Sequence, residues 1–149
     1  MELGFKAVTE TGGNPTREDF LAHRAIAYVA MDRLEDALNA LNRAEEAEHK
    51  YGECVYEAET HRLRGEVLLR TESANIHDAQ QCFETAIEIA KSQGAKLWEL
   101  RATTSLARLL NQQGRRDEAR TMLAEIYNWF TEGFDTADLK DAKTLLEEP

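Results

Sequence analysis

The chain has 149 residues, of which 28 are acidic and 18 are lysine or arginine, so its formal net charge is −10. This length suits one ordinary domain, which can bury a core without disulfides or structural metals. The net charge opposes nonspecific attraction to nucleic acid and to anionic lipid, because both are repelled at long range. Neither is an expected partner.

The beginning of the chain and its cysteines indicate a compartment. Residues 1–15 lack the basic start and the apolar run of a secretory signal, and no stretch has the apolar length that spans a bilayer. We expect this segment to be flexible or to cover the edge of the first helix pair. Cys54 and Cys82 lack metal-ligand spacing, and free thiols suit a reducing environment. The sequence therefore predicts a cytoplasmic protein.

The first half of the chain predicts three helices, since good helix formers dominate after Pro15. The first has Thr16 as its N-cap and runs to about residue 31, and the second covers about 34–51 and ends at Gly52. The third covers about 54–70. The polar segment TESANIHD, residues 71–78, has too little apolar content to pack and is predicted to be the longest internal loop.

The second half predicts four more helices. The fourth covers about 77–92 and ends at Gly94, the fifth covers 96–112 and ends at Gly114, and the sixth covers about 117–131. Asp135 is the predicted N-cap of a C-terminal capping helix within 135–149. Its apolar stripe consists of Leu139, Ala142, Leu145 and Leu146.

One spacing recurs three times: a small residue on one helix, then an alanine and two apolar residues on the next. The copies are Ala25, Ala37, Leu41 and Ala44; Gly65, Ala79, Phe83 and Ala86; and Ala107, Ala119, Leu123 and Ile126. Tetratricopeptide (TPR) repeats have this organisation with a period of about 34 residues. The period here is longer, at 40 to 42 residues, because the helices and the 71–78 loop are longer. We predict an all-α, TPR-like αα-superhelix of three helix pairs, at about 16–52, 53–94 and 95–134, plus the capping helix. The small residues should lie where two helix backbones approach closely.

Three segments resemble a known family more specifically: EAETHRLRGEVLLR from Glu57, KLWELRATTSLARLLNQQGRRDEA from Lys96, and WFTEGFDTADLKDAKTLL from Trp129. Together they resemble the C-terminal TPR-like region of bacterial predicted ATPases of the adenylate/guanylate cyclase or transcriptional-regulator type. The resemblance covers about residues 20–147. It implies a bacterial signalling module for interaction or regulation, with nucleotide chemistry in other domains. The chain is either a fragment of such a protein or a free-standing remnant.

Motifs for catalysis are missing from the sequence, which has no GxxxxGK[ST] loop, no HExxH pair and no Ser, His and Asp set that can be placed together. We therefore expect no enzyme activity and no cofactor. Glu57 and His61 have the i, i+4 spacing of a metal-binding pair, but a third ligand is missing. A partly buried histidine is the expected role of His61, and a metal-dependent hydrolase would require bound metal in the purified protein.

A binding groove follows from the repeat class, in which the first helix of each pair lines the concave surface. The corresponding residues are Ala22, Ile26, Glu59, Arg62, Glu66, Arg70, Arg101, Thr104, Arg108, Asn111 and Gln112. Four are arginines, whose planar guanidinium suits carboxylate or phosphate, so the groove is predicted to recognise an anion. The alternative is that these arginines form solvated ion pairs with nearby glutamates, each worth less than about 1 kcal/mol.

Aromatic residues gather late in the chain, at Trp98, Tyr127, Trp129, Phe130 and Phe134. They could form an interface hot spot, but an aromatic stripe at helical spacing usually faces the core, so packing is the predicted role.

These patterns predict a non-catalytic scaffold, monomeric or homodimeric, that binds a protein or peptide in its groove, and an acidic partner is one option. The competing hypothesis is a ligand-sensing regulatory module that binds a small anionic metabolite or nucleotide.

Overall fold

The computed structural model describes residues 18–51, 56–71 and 75–149. These ranges contain seven helices and no strand, which confirms the predicted all-α class for the described part. The helices are α1 (Glu18–Ala30), α2 (Leu34–Tyr51), α3 (Glu57–Arg70), α4 (Ile76–Gln93), α5 (Lys96–Gln112), α6 (Arg116–Tyr127) and α7 (Ala137–Glu147). None of these helices combines the length and apolar character needed to cross a lipid bilayer. The N-terminal segment and the Thr16 cap lie outside the described residues.

Most helix ends agree with the sequence patterns. The bounds of α2 and α5 are as predicted, and α4 ends at Gly94, whose φ of 65° suits a residue without a side chain. The start of α4 differs, because Asn75 serves as its N-cap: the Asn75 side chain accepts a hydrogen bond from the Asp78 amide at 3.1 Å. The helix therefore begins at Ile76, one residue before the predicted start.

The region after α6 differs more from the prediction. The helix ends at Tyr127 rather than near residue 131, because the amides of Trp129 and Phe130 donate to carbonyls three residues back. The predicted N-cap of the next helix was also wrong: Thr136, not Asp135, has the N-cap position of α7. The Thr136 hydroxyl donates to the Gly133 carbonyl at 2.7 Å and holds the turn between the two helices.

The odd-numbered and the even-numbered helices lie in two different layers. The odd-numbered helices α1, α3, α5 and α7 contact one another in chain order and form the first layer. Each even-numbered helix contacts the two helices adjacent to it in sequence. Among the described residues, α1 has no contact with α5, α6 or α7, so the row does not close into a bundle.

The core consists of two apolar clusters that meet between α3 and α4. One cluster joins α1, α2 and α3 and includes Leu41 and Val67, whereas the other extends from Phe83 on α4 to Ala142 on α7. Every member of the threefold repeat is buried, as the spacing predicted. The repeat therefore describes the inward face of each helix.

Gly65 on α3 packs directly against the Phe83 ring on α4. A Cβ atom placed on Gly65 would lie 2.5 Å from Cε1 of Phe83, whose ring is fully buried. Not even a methyl group fits there while the ring stays in place, so a small residue is needed, as predicted. The neighbour, however, is the Phe83 ring and not the predicted second helix backbone. The missing side chain of Gly65 therefore determines how closely α4 packs on α3.

We expect Gly65→Ala to destabilise the protein by about 1–2 kcal/mol, since the overpacking cost exceeds the better helix propensity of alanine. Urea unfolding of the wild type and the variant measures this difference. In a Phe83→Leu background the same substitution should cost nothing or should stabilise, because the ring edge is gone. An equal loss in both backgrounds would show that the ring is not the cause.

Candidate binding groove

The predicted groove residues meet only in part, in a cavity of about 120 Å³ between α3, α5 and α7. We call this cavity the arginine groove. It is lined by Arg62, Arg101, Thr104, Ser105, Arg108, Asp138 and Asp141. Four of these seven residues were predicted from the sequence, and the other three, Ser105 and the two aspartates, were not.

A buried carboxylate organises the groove. Glu59 on α3 is only 3% exposed and accepts two hydrogen bonds from Arg62, at 2.6 and 2.9 Å. The Nη2 atom of Arg101 on α5 lies 3.0 Å from the same carboxylate. Two guanidinium groups therefore share one acid, which offsets the cost of burying its charge.

The ionisation of Arg62 reflects this environment. Burial alone would lower the pKa of its guanidinium, but the hydrogen bond and charge of Glu59, with the charges of Glu66 and Asp138, hold that pKa above its usual value. Arg62 is therefore a permanent cation that is already paired.

A second connection between α3 and α5 passes through Ser105. Its hydroxyl donates to Glu66 Oε1 at 2.8 Å and accepts from Arg62 Nη1 at 3.4 Å. Ser105 is itself buried, so these two hydrogen bonds replace the ones to water that its hydroxyl loses on folding. Arg62, Glu66 and Ser105 thus form a connected network of hydrogen bonds beside the groove.

Helix α7 supplies two more carboxylates. Asp138 Oδ1 lies 3.5 Å from Arg101 Nε, and Asp141 Oδ2 lies 3.8 Å from Arg108 Nη2. With Glu59 and Glu66, four carboxylates therefore face the three arginines of the groove. The ion-pair alternative accounts for Arg62 and Arg101, whereas Arg108 is half exposed and loosely paired.

The i, i+3 spacing of Asp138 and Asp141 on a predicted helix was the only available sequence signal for their part in the groove. Using it would have required knowing that α7 packs beside α5.

The other predicted groove residues lie elsewhere or face away. Ala22 is 2% exposed, whereas Ile26 on α1 is 42% exposed. Arg70 is exposed at the end of α3. Thr104 lines the groove, but its hydroxyl donates to the Leu100 carbonyl on its own helix. Asn111 and Gln112 line a separate cavity at the far end of α5.

The aromatic cluster only partly packs the core. Tyr127 and Phe130 pack against the second apolar cluster, but Trp129 is 57% exposed and Phe134 is 47% exposed. The prediction of core packing was therefore wrong for Trp129 and Phe134, because α6 ends before them and they do not continue its buried stripe. Trp98 lies beside the groove, with its ring centroid 5.4 Å from the Arg101 guanidinium.

His61 is partly buried, and no group of three or more His, Cys, Asp or Glu side chains that could hold a metal occurs within the described ranges. Burial is the main reason why the pKa of His61 lies below its ordinary value of 6.5. The positive charges of Arg64 and His49 lower it further, whereas Glu45 and Glu57 oppose the shift. The neutral imidazole is thus the form that fits the fold.

Comparison of the chain with models of known protein families, with curated proteins and with solved structures found no match. The resemblance to the repeat region of bacterial signalling ATPases therefore stays a prediction from the residues.

We expect Glu59→Gln to destabilise the protein by about 1–3 kcal/mol, because two partly buried guanidinium groups lose the charge that they share. Urea unfolding measures this loss. The matched control is Glu118→Gln, which removes one partner of the exposed Arg115–Glu118 pair and should change stability by less than about 1 kcal/mol. Equal effects would show that Glu59 is no more important than a surface acid.

His61 should make the folded state less stable at acidic pH. Its folded-state pKa is lower than its unfolded value, so its contribution is intact above the unfolded pKa and is lost as the pH falls through the folded pKa. Between about pH 7.5 and pH 5.5, His61→Gln should lose less unfolding free energy than the wild type. The exposed His77 provides the control, and His77→Gln should follow the wild type. A wild-type pH profile in His61→Gln would contradict this assignment.

Proposed function

We propose that the chain is a non-catalytic, TPR-like interaction module that binds a protein or peptide on the layer formed by the odd-numbered helices. The observation that supports this most is the open row α1, α3, α5 and α7, with the arginine groove between its last three members. Helical repeat rows of this kind commonly offer such a surface to a partner. The division into three helix pairs, the bacterial signalling context and the cytoplasmic location belong to the same proposal, and they rest on the repeat spacing and the resemblance.

Arg108 is the groove residue best placed to receive a partner's acid. Its side chain is 49% exposed, and its partner Asp141 is 60% exposed at 3.8 Å. An exposed pair of this kind contributes less than about 1 kcal/mol, so an incoming carboxylate can replace Asp141 at low cost. Arg62 and Arg101, in contrast, are held by the buried Glu59.

The size and charge of the groove favour a peptide side chain over a nucleotide. Its volume of about 120 Å³ is smaller than the roughly 300–1,000 Å³ of typical small-molecule sites. Asp138 and Asp141 line it and would repel the several negative charges of a phosphate chain more strongly than the single charge of one carboxylate. One carboxylate of a peptide that lies across the surface needs neither a deep pocket nor a second cation.

Peptides selected on the wild-type protein from a random display library test this proposal. We expect acidic sequences, and their affinity should fall about tenfold or more in Arg108→Glu, because a charge-assisted contact is lost and a like charge is introduced. Fluorescence anisotropy of the synthetic peptides measures the change. Arg43→Glu is the control, since it reverses one exposed arginine on α2, in the other layer.

The control variant should bind within about twofold of the wild type, because the lost contact is local and distant surface charges are screened. Peptides that bind Arg108→Glu and Arg43→Glu equally well would remove the groove as the binding surface. A selection that yields no binding peptide would count against the interaction module itself.

A further inference from the structure

A second and larger cavity lies on the other side of α7, where α5, α6 and α7 meet. Its volume is about 240 Å³, and its apolar part is formed by Ala107, Leu123, Leu145 and Leu146. Ala107 and Leu123 are buried, whereas Leu145 and Leu146 on α7 are partly exposed. An aliphatic group placed here would contact both the core and the last turns of α7.

Two arginines one helical turn apart stand beside this apolar surface. Arg116 Nη1 donates to the main-chain oxygen of Pro149 at 2.8 Å, and Arg120 Nη2 donates to that of Glu148 at 2.9 Å. Within the described ranges, neither arginine forms an ion pair with an aspartate or glutamate side chain. Their other guanidinium N–H groups form no hydrogen bond within the described part of the chain.

The polar rim also contains two side-chain amides. Asn111 and Gln112 line the cavity, and their side chains form no hydrogen bond in the part of the chain that the structure describes. Glu148 supplies the one acidic side chain among the described lining residues, which also include both arginines. The arginine groove, in contrast, supplies a carboxylate for each of its arginines.

We propose that this cavity binds a small ligand that consists of a carboxylate on a short aliphatic chain. The carboxylate would lie between Arg116 and Arg120, with Asn111 as a further donor, and the chain would lie on Leu123, Leu145 and Leu146. At about 30 Å³ for each water-sized group, the cavity holds on the order of eight non-hydrogen atoms. This is the size of hexanoate. The proposal uses none of the groove arginines and stands independently of the peptide site.

Titration of isotope-labelled protein with sodium hexanoate, followed by NMR, tests the site. We expect saturable shifts of the Leu123, Leu145 and Leu146 methyl signals, with a dissociation constant on the order of millimolar for so small a ligand. Acetate lacks the chain and hexanol lacks the charge. Each should therefore bind at least about tenfold more weakly than hexanoate at the same ionic strength.

The double variant Arg116→Gln/Arg120→Gln should bind hexanoate about tenfold more weakly, whereas Arg115→Gln should bind it as the wild type does. Arg115 is the matched control because it lies on the same exposed turn but pairs with Glu118. Four results would each overturn the proposal. Two concern affinity: hexanol binds as well as hexanoate, or the double variant binds as well as the wild type. The other two concern the spectra: the shifts are confined to the arginine groove, or no saturable shift occurs.

Discussion

The close contact between Gly65 and the Phe83 ring is the constraint on which the rest of the structure depends. Phe83 belongs to the second apolar cluster, and the missing side chain of Gly65 allows α4 to pack directly on α3. Since α5 packs on both α3 and α4, the position of this contact also sets the spacing between α3 and α5. The arginine groove lies in that space, so a backbone packing requirement positions the charged site.

Electrostatics inside the groove follow from the same arrangement. Once α3 and α5 are close, Glu59 is nearly excluded from water, and a lone carboxylate there would be costly. Arg62 and Arg101 offset this cost, which makes them part of the fold before they are available to any partner. A surface rich in arginine can therefore offer little free positive charge. Arg108, farther along α5 and half exposed, is the exception.

The sequence predicted the helices and their inward faces well, because glycine stops and small-residue spacing are local signals. It predicted the site less well, since the site depends on where α7 packs. That helix lies between the arginine groove on the α3 side and the second cavity on the α6 side, so it separates Arg108 from Asn111 and Gln112. The predicted roles of Trp129 and Phe134 were wrong because two hydrogen bonds between residues i and i−3 end α6 early. Helix propensity does not predict this ending.

The net charge of −10 affects the binding that we propose for each cavity. An acidic ligand is repelled at a distance and attracted only within a few ångströms of a guanidinium group. Added salt weakens both effects, but it weakens the long-range repulsion more, because the Debye length is about 8 Å at physiological ionic strength. Raising the salt concentration to the physiological range should therefore raise the association rate constant of an acidic ligand by a larger factor than it raises the dissociation rate constant. This behaviour differs from that of basic proteins that bind anions, and it favours ligands that add apolar contacts to their charge.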